Sequence, residues 1–202
     1  MNNLAITEQK IIEAGKKVFL EKGFETTRMQ DIADKANISR TSLNYYYRSK
    51  NKLFDIVLEQ LVNVFATRLL KVLDNKESLE KKIDNFVDEY AELIIEFPRY
   101  PRFLINEISQ RPKQFIEIIN NIISRFDFFE KLQREILYNF DKEKRDTINL
   151  PQLFMTALSV IIIPSIAWPV YNNLTNETAE FDVFIRNQKK QVIRIIKSQL
   201  IY

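Results

Sequence analysis

Within the run from Ile38 to Lys50 stand Arg40, Thr41, Ser42, Asn44, Tyr45, Tyr46 and Lys50, side chains that can hydrogen-bond a nucleic acid. An Arg fork matches O6 and N7 of guanine and an Asn amide matches N6 and N7 of adenine, whereas Tyr, Ser and Lys commonly donate to phosphate. From Lys35 to Lys52 there are five cations (Lys35, Arg40, Arg48, Lys50, Lys52) and no Asp or Glu, although the whole chain carries a formal charge of only +3. A field this local attracts a phosphate backbone. A basic run by itself is more often a solvated helix face. The aromatic run Tyr45-Tyr46-Tyr47 and the element before it favour recognition.

Other chemistries are excluded by what the chain lacks. There is no Cys, hence no disulfide and no thiolate ligand, and no His, the commonest metal ligand and general base. Ser-His and Cys-His catalysis are therefore impossible. The only glycines, Gly15 and Gly23, cannot make a phosphate-cradling glycine loop. No metal, cofactor or catalytic set is expected. An enzyme would have to work with unassisted carboxylates such as Glu107.

The positioning elements are helices. Two Gly and six Pro among 202 residues, with apolar residues at helical spacing almost throughout, make the class all-α, with about nine helices. A first helix runs from Thr7, a plausible N-cap, to a stop at Gly23. Thr26 and Thr27 can cap a second, Arg28 to Ala36, with Met29, Ile32, Ala33 and Ala36 inward. Asn37 tolerates the left-handed conformation of a tight turn, and Ser39 can cap a third helix that keeps Ile38, Leu43 and Tyr47 inside and Arg40, Thr41, Asn44 and Tyr45 outside. Two short helices joined this way form a helix-turn-helix, whose second helix enters the major groove.

The runs Gly23 to Ala33, Ala36 to Ser39 and Leu43 to Lys50, followed by Leu53, resemble the amino-terminal domain of the TetR family of bacterial transcriptional regulators. The resemblance covers roughly residues 7 to 55. It implies that Arg40, Thr41 and Asn44 face base edges while Thr27, Ser42, Tyr45, Tyr46 and Lys50 contact phosphates, with Arg28 and Ser39 in the same DNA-facing set. Tyr46 is equally open to a core role, and Tyr47 reads as core. Two residues depart from the family: Asn37 replaces the usual turn Gly, and Asn44 replaces the usual Tyr. Arg40 and Asn44, one turn apart, would together select a G·C and a nearby A·T pair in each half of a palindromic operator.

The expected division is a DNA-binding domain over 1–48 and an effector-binding and dimerisation domain over 49–202. A long helix from Ser49 to about Asp74 acts as a lever, followed by a turn at Asp74-Asn75-Lys76. Helices from about Ser78 to Phe97 and from Arg102 to Gln110 come next, then a long one carrying Phe115 to Phe140 and a polar loop over Asp141 to Asn149. A helix to about Asn172, bent by Pro164 and Pro169, and a last one over Ala179 to Leu200 complete the chain. Phe86, Tyr90, Phe97, Phe103, Phe126, Phe129 and Trp168 could line a pocket for a small apolar or amphipathic effector, though aromatic stripes at this spacing also make plain core. The resemblance implies such an effector and a homodimer through the last two helices. Those helices are apolar on more than one side, which suits burial against an identical partner.

No secretory signal is visible, and the most apolar stretch, Leu158 to Val170, is about half a membrane span. A cytoplasmic protein without a membrane role is expected. The alternative is a helical carrier of hydrophobic ligands with a degenerate helix-turn-helix, which salt-dependent binding to duplex DNA would separate from a regulator.

Overall fold

The structure is a computed structural model that describes residues 3–72, 76–175 and 180–201. Eleven helices and no strand occur among them: α1 (Asn3–Thr26), α2 (Met29–Ala36), α3 (Arg40–Tyr46), α4 (Lys50–Lys71), α5 (Leu79–Glu96), α6 (Tyr100–Gln110), α7 (Pro112–Phe126), α8 (Phe128–Asn139), α9 (Lys142–Thr147), α10 (Leu150–Thr175) and α11 (Phe181–Ile201). They form two compact units, one of Met1–Val64 with Phe103–Ile118, the other of Phe65–Arg102 with Ile119–Tyr202. Helices α4, α6 and α7 each contribute residues to both.

Two features raise the number of helices above nine. Asp127 adopts φ 49°, ψ 37°, a left-handed residue that breaks the expected long helix into α7 and α8. The polar segment expected to be a loop contains α9, because Asp141 accepts the Lys144 N–H at 2.9 Å and caps it. The amino terminus also differs: α1 begins at Asn3, so Thr7 is not its cap. The expected stop at Gly23 is present as a break, with φ 74° and ψ 171°, and the residues Phe24 to Thr26 follow it. Of the expected turn at Asp74-Asn75-Lys76 only Lys76 is among the described residues, and the first residue of the expected last helix, Ala179, lies outside them.

The first unit has an aromatic centre. Phe54 of α4 meets Phe19 and Phe24 edge-on, with centroids 4.9 and 4.8 Å away, and Phe103 of α6 lies 6.1 Å from it. Edge-to-face contacts at these distances are the favoured aromatic geometry. Helix α4 approaches α1 closely because Gly15 has no side chain; a Cβ there would sit 3.2 Å from Val57 Cγ2. Ile11, Ile32, Leu43, Leu53 and Val57 are fully buried around this centre.

In the second unit α5, α10 and α11 pack together. Helices α5 and α11 are antiparallel and joined by ion pairs in register: Asp84 with Lys197 at 2.9 Å, Asp88 with Lys189 at 2.9 Å, and Glu92 with Arg186. Arg68 of α4 bridges Glu89 and Glu96 on α5, each at 2.5 Å. Lys82, 5 % exposed, is paired with Glu135 of α8. Helix α10 runs through both internal prolines and has two apolar faces. Ala157, Ile161 and Ser165 form the buried one, whereas Met155, Ile163, Val170 and Leu174 are 56–77 % exposed. At 3.6 residues per turn these four lie within about 100° of one another.

Candidate nucleic-acid interface

The approach to the recognition helix is fixed by hydrogen bonds that end one helix and begin the next. Arg28 is extended and its N–H donates to Asp31 Oδ2 at 2.8 Å, which caps α2. That bond, helped by Lys22 at 3.0 Å, holds the Asp31 carboxyl below its usual range. The threonines do not cap α2 as expected. Thr27, 2 % exposed, donates its hydroxyl backward to Gly23 O at 2.6 Å, and Thr26 donates to Lys22 O, so both satisfy carbonyls left open at the end of α1.

Asn37 takes φ 55°, ψ 48°, the left-handed geometry expected of it. Its N–H donates to Asp34 O at 3.1 Å and that of Ile38 to Ala33 O at 3.0 Å. Ser39 Oγ then accepts the Ser42 N–H at 3.0 Å, the expected cap of α3. Leu43 is fully buried and Ile38 half-buried, so α3 is held by its inner edge. Tyr47, just past the helix, is buried and donates its hydroxyl to Glu8 Oε1 at 3.0 Å. Burial first, then Glu8, pushes its phenol up to about 12, so it stays a donor.

The outer face of α3 is open. Thr41, Asn44 and Tyr45 are exposed, Tyr45 to 78 %, while Arg40, Ser42 and Tyr46 are half-buried. Tyr45 and Tyr46 meet edge-on with centroids 5.4 Å apart. Arg40 Nη1 donates to Asn44 Oδ1 at 2.6 Å along the same face. Arg28 and Ser39 are exposed beside it.

Two residues expected on phosphates are occupied elsewhere. Lys50 Nζ donates to the carbonyls of Phe24 at 2.8 Å, Thr27 at 3.1 Å and Glu25 at 3.3 Å, which uses all three ammonium protons. It also lies 4.1 Å from the Phe24 ring centroid. Thr27 is buried, as described. Both residues hold the end of α1 against the start of α4, which is a positioning role.

A polar cluster, of which the sequence singled out only Glu107, completes this unit. The Arg111 guanidinium lies 3.2 Å from the centroid of Phe24 and 4.3 Å from that of Phe54, a cation stacked on aromatic faces. Glu107, 1 % exposed, is 3.8 Å from Arg111 Nε, and burial raises its carboxyl above the usual range despite that cation. Gln114 donates to Asp55, whose carboxyl burial also raises. The i, i+4 spacing of Glu107 and Arg111 was the one available signal.

The aromatic residues expected to line an effector pocket fall into separate clusters. Phe103 belongs to the first unit, against Phe54. Tyr90 is buried in the second and donates to Leu158 O at 3.1 Å, and Phe97 lies 5.6 Å from Phe65. Trp168 packs on Phe184 at 4.6 Å with Tyr171 and Phe181 near it. Phe86 is half-buried on α5. The side chains of Phe126 and Phe129 lie outside the described residues. Among the described residues no three acidic, His or Cys side chains gather as a metal site. Among the described residues one helix, over Pro151–Thr175, is long and apolar enough to cross a membrane.

Residues 11–57 match the family described as bacterial regulatory proteins, tetR family. The chain is 28 % identical over 160 residues, 73 % of it and 80 % of the relative, to IcaR of Staphylococcus epidermidis, an HTH-type negative transcriptional regulator of the biofilm operon icaADBC. Its fold is similar to that of the fatty acid degradation regulator FadR from Bacillus halodurans, with TM-score 0.68 and 13 % identity over 93 % of this chain and 94 % of that one. It is also similar to FadR from Bacillus subtilis, solved in complex with stearoyl-CoA, with TM-score 0.67 and 13 % identity over 92 % and 97 % of the two chains. Residues 11–57 therefore carry a helix-turn-helix of the kind found in the tetR family of bacterial regulatory proteins, at the head of a chain whose described residues are mostly helical.

Proposed function

We propose that the protein is a homodimeric, one-component repressor whose two α3 helices read a palindromic operator and release it when a small apolar or amphipathic molecule binds the second unit. The observation that carries this reading is the open polar face of α3, inside a stretch of 18 residues with five cations and no acid. In it Arg40, Thr41 and Asn44 face base edges, and Arg28, Ser39, Ser42, Tyr45 and Tyr46 reach phosphates. Thr27 and Lys50 are left to support this face, which residues 1–48 carry and 49–202 regulate.

The exposed strip of α10 with Val183 of α11, 46 % exposed, supplies an apolar surface for the partner protomer. A strip of that kind on a soluble chain marks an interaction site. The effector would meet Phe86, Tyr90, Phe97 and Trp168 of the second unit, with Phe126 and Phe129, and act on α3 through α4, α6 and α7, which run into both units. Phe103 belongs to the support of α4. The stearoyl-CoA complex of a protein with this fold makes acyl chains the first effectors to try. Glu107, which an enzyme would have used, is sealed beside Arg111, which favours a binding role over a catalytic one for a protein working in the cytoplasm.

The test is selection of fragments from genomic DNA, then titration of the best duplex at several salt concentrations with and without fatty acids and acyl-CoAs. Enrichment of a palindrome, with affinity falling steeply as salt rises, is the expected result. If no fragment is enriched and acyl ligands still bind, the hydrophobic-carrier reading replaces this one.

A further inference from the structure

We propose that Asn44 is the residue that positions Arg40 for guanine and does not itself read adenine. This inference rests on the DNA-binding reading above. An adenine fork needs both ends of the Asn amide, the oxygen accepting from N6 and the nitrogen donating to N7. Here the oxygen is engaged: Arg40 Nη1 donates to Asn44 Oδ1 at 2.6 Å, at the short end for a charge-assisted bond. The second lone pair of that oxygen could still accept from N6, but the direction of the amide is already set by the cation, so a fork onto adenine would have to form without turning the amide away from Arg40.

The bond also settles which way the amide faces. Its NH2 group would repel the guanidinium, so the oxygen must point toward Arg40. Arg40 gains a fixed direction from it. A guanidinium has five donors, and one spent on Asn44 leaves enough to fork onto O6 and N7 of a guanine. From Lys35 to Lys52 no carboxylate is available for this task. Asn44, one helical turn away on the same exposed face, is the neutral acceptor that can orient the long Arg side chain without repelling phosphates.

Each half-site therefore contains one required G·C pair from this pair of residues, and no A·T pair required by Asn44. The experiment compares wild type, Arg40→Ala, Asn44→Ala, Asn44→Asp and the Arg40→Ala/Asn44→Ala double variant on a panel of single-base variants of the selected operator, with helicity measured for each. A good bidentate pair discriminates by roughly 5- to 150-fold. Arg40→Ala should lose that preference, and Asn44→Ala the larger part of it at the same base pair. The double variant should be no worse than Arg40→Ala. Asn44→Asp should keep the guanine preference, because a carboxylate still orients the guanidinium, while binding all duplexes more weakly. Relaxation at an A·T pair with guanine selection intact, or multiplying effects of the two alanine substitutions, would overturn the proposal and leave the DNA-binding reading in place. Failure of the wild type to select any duplex would overturn both.

Discussion

The second unit and the recognition segment of the first use their cations in opposite ways. In the second, Arg68, Lys82, Arg186, Lys189 and Lys197 each face a carboxylate of the same unit. In the first, Lys16, Lys22 and Arg111 also face carboxylates, but in the recognition segment Lys35, Arg40, Arg48 and Lys52 have no acidic partner among the described residues, and Lys50 is turned onto backbone carbonyls. Charge spent internally zips helices to one another and contributes little to long-range attraction. Charge left unpaired destabilises its own surface slightly and draws a polyanion from outside. A net charge of +3 conceals this partition, because the surplus sits almost wholly where acids are absent.

The largest test of this contrast lies in the second unit. Glu135→Ala would leave the Lys82 ammonium buried without its counter-ion, and a loss of about 3 kcal/mol in denaturant unfolding is expected. Folded variant should bind operator normally once temperature is lowered. Next comes Lys50→Ala, which removes a cation shared by three carbonyls. Stability should fall by about 1.5–3 kcal/mol, with the salt slope of operator binding unchanged. A reduced slope would mean that Lys50 leaves the carbonyls for phosphate in the complex.

Arg28→Ala should do the reverse, preserving stability while lowering the magnitude of the salt slope by about 0.9. On the ladder between α5 and α11, Arg186→Ala breaks a half-exposed pair and should cost only about 0.2–1 kcal/mol, less at high salt. The smallest expected effect is one of pH. The folded pKa of Glu107 lies above its unfolded value, so this group makes no stabilising contribution above the folded pKa and stabilises progressively as pH falls through it. Glu107→Gln should abolish that gain on mild acidification, measured as the change of unfolding midpoint with pH.

How far this was legible from sequence depended on whether the controlling contact was local. The Asn37 turn and the Ser39 cap are decided within four residues, and both followed from residue type. The break at Asp127 was missed because the chain carries neither Gly nor Pro there, and only the left-handed φ reveals it. Helix α9 was hidden by its polarity, since a short exposed helix needs a cap more than an apolar stripe. The partners of Thr27 and Lys50 were hidden for a different reason. Their chemistry suits phosphate, but the carbonyls at the broken end of α1 compete for the same donors, and Lys50 finds them 23 to 26 residues away. The scattering of Phe103, Tyr90 and Trp168 among three clusters is a tertiary fact that helical spacing does not encode.

The uncovered strip of α10 has a consequence for how such a regulator would behave at low copy number. If Met155, Ile163, Val170 and Leu174 are covered only when two chains meet, the operator-competent species grows with the square of chain concentration while protomers are in excess. Occupancy of the operator would then rise more steeply with synthesis than it does for a repressor that binds as a preformed unit. Halving expression would cost up to four-fold in active repressor, so a modest change in translation could act on the regulated genes as strongly as a weak effector.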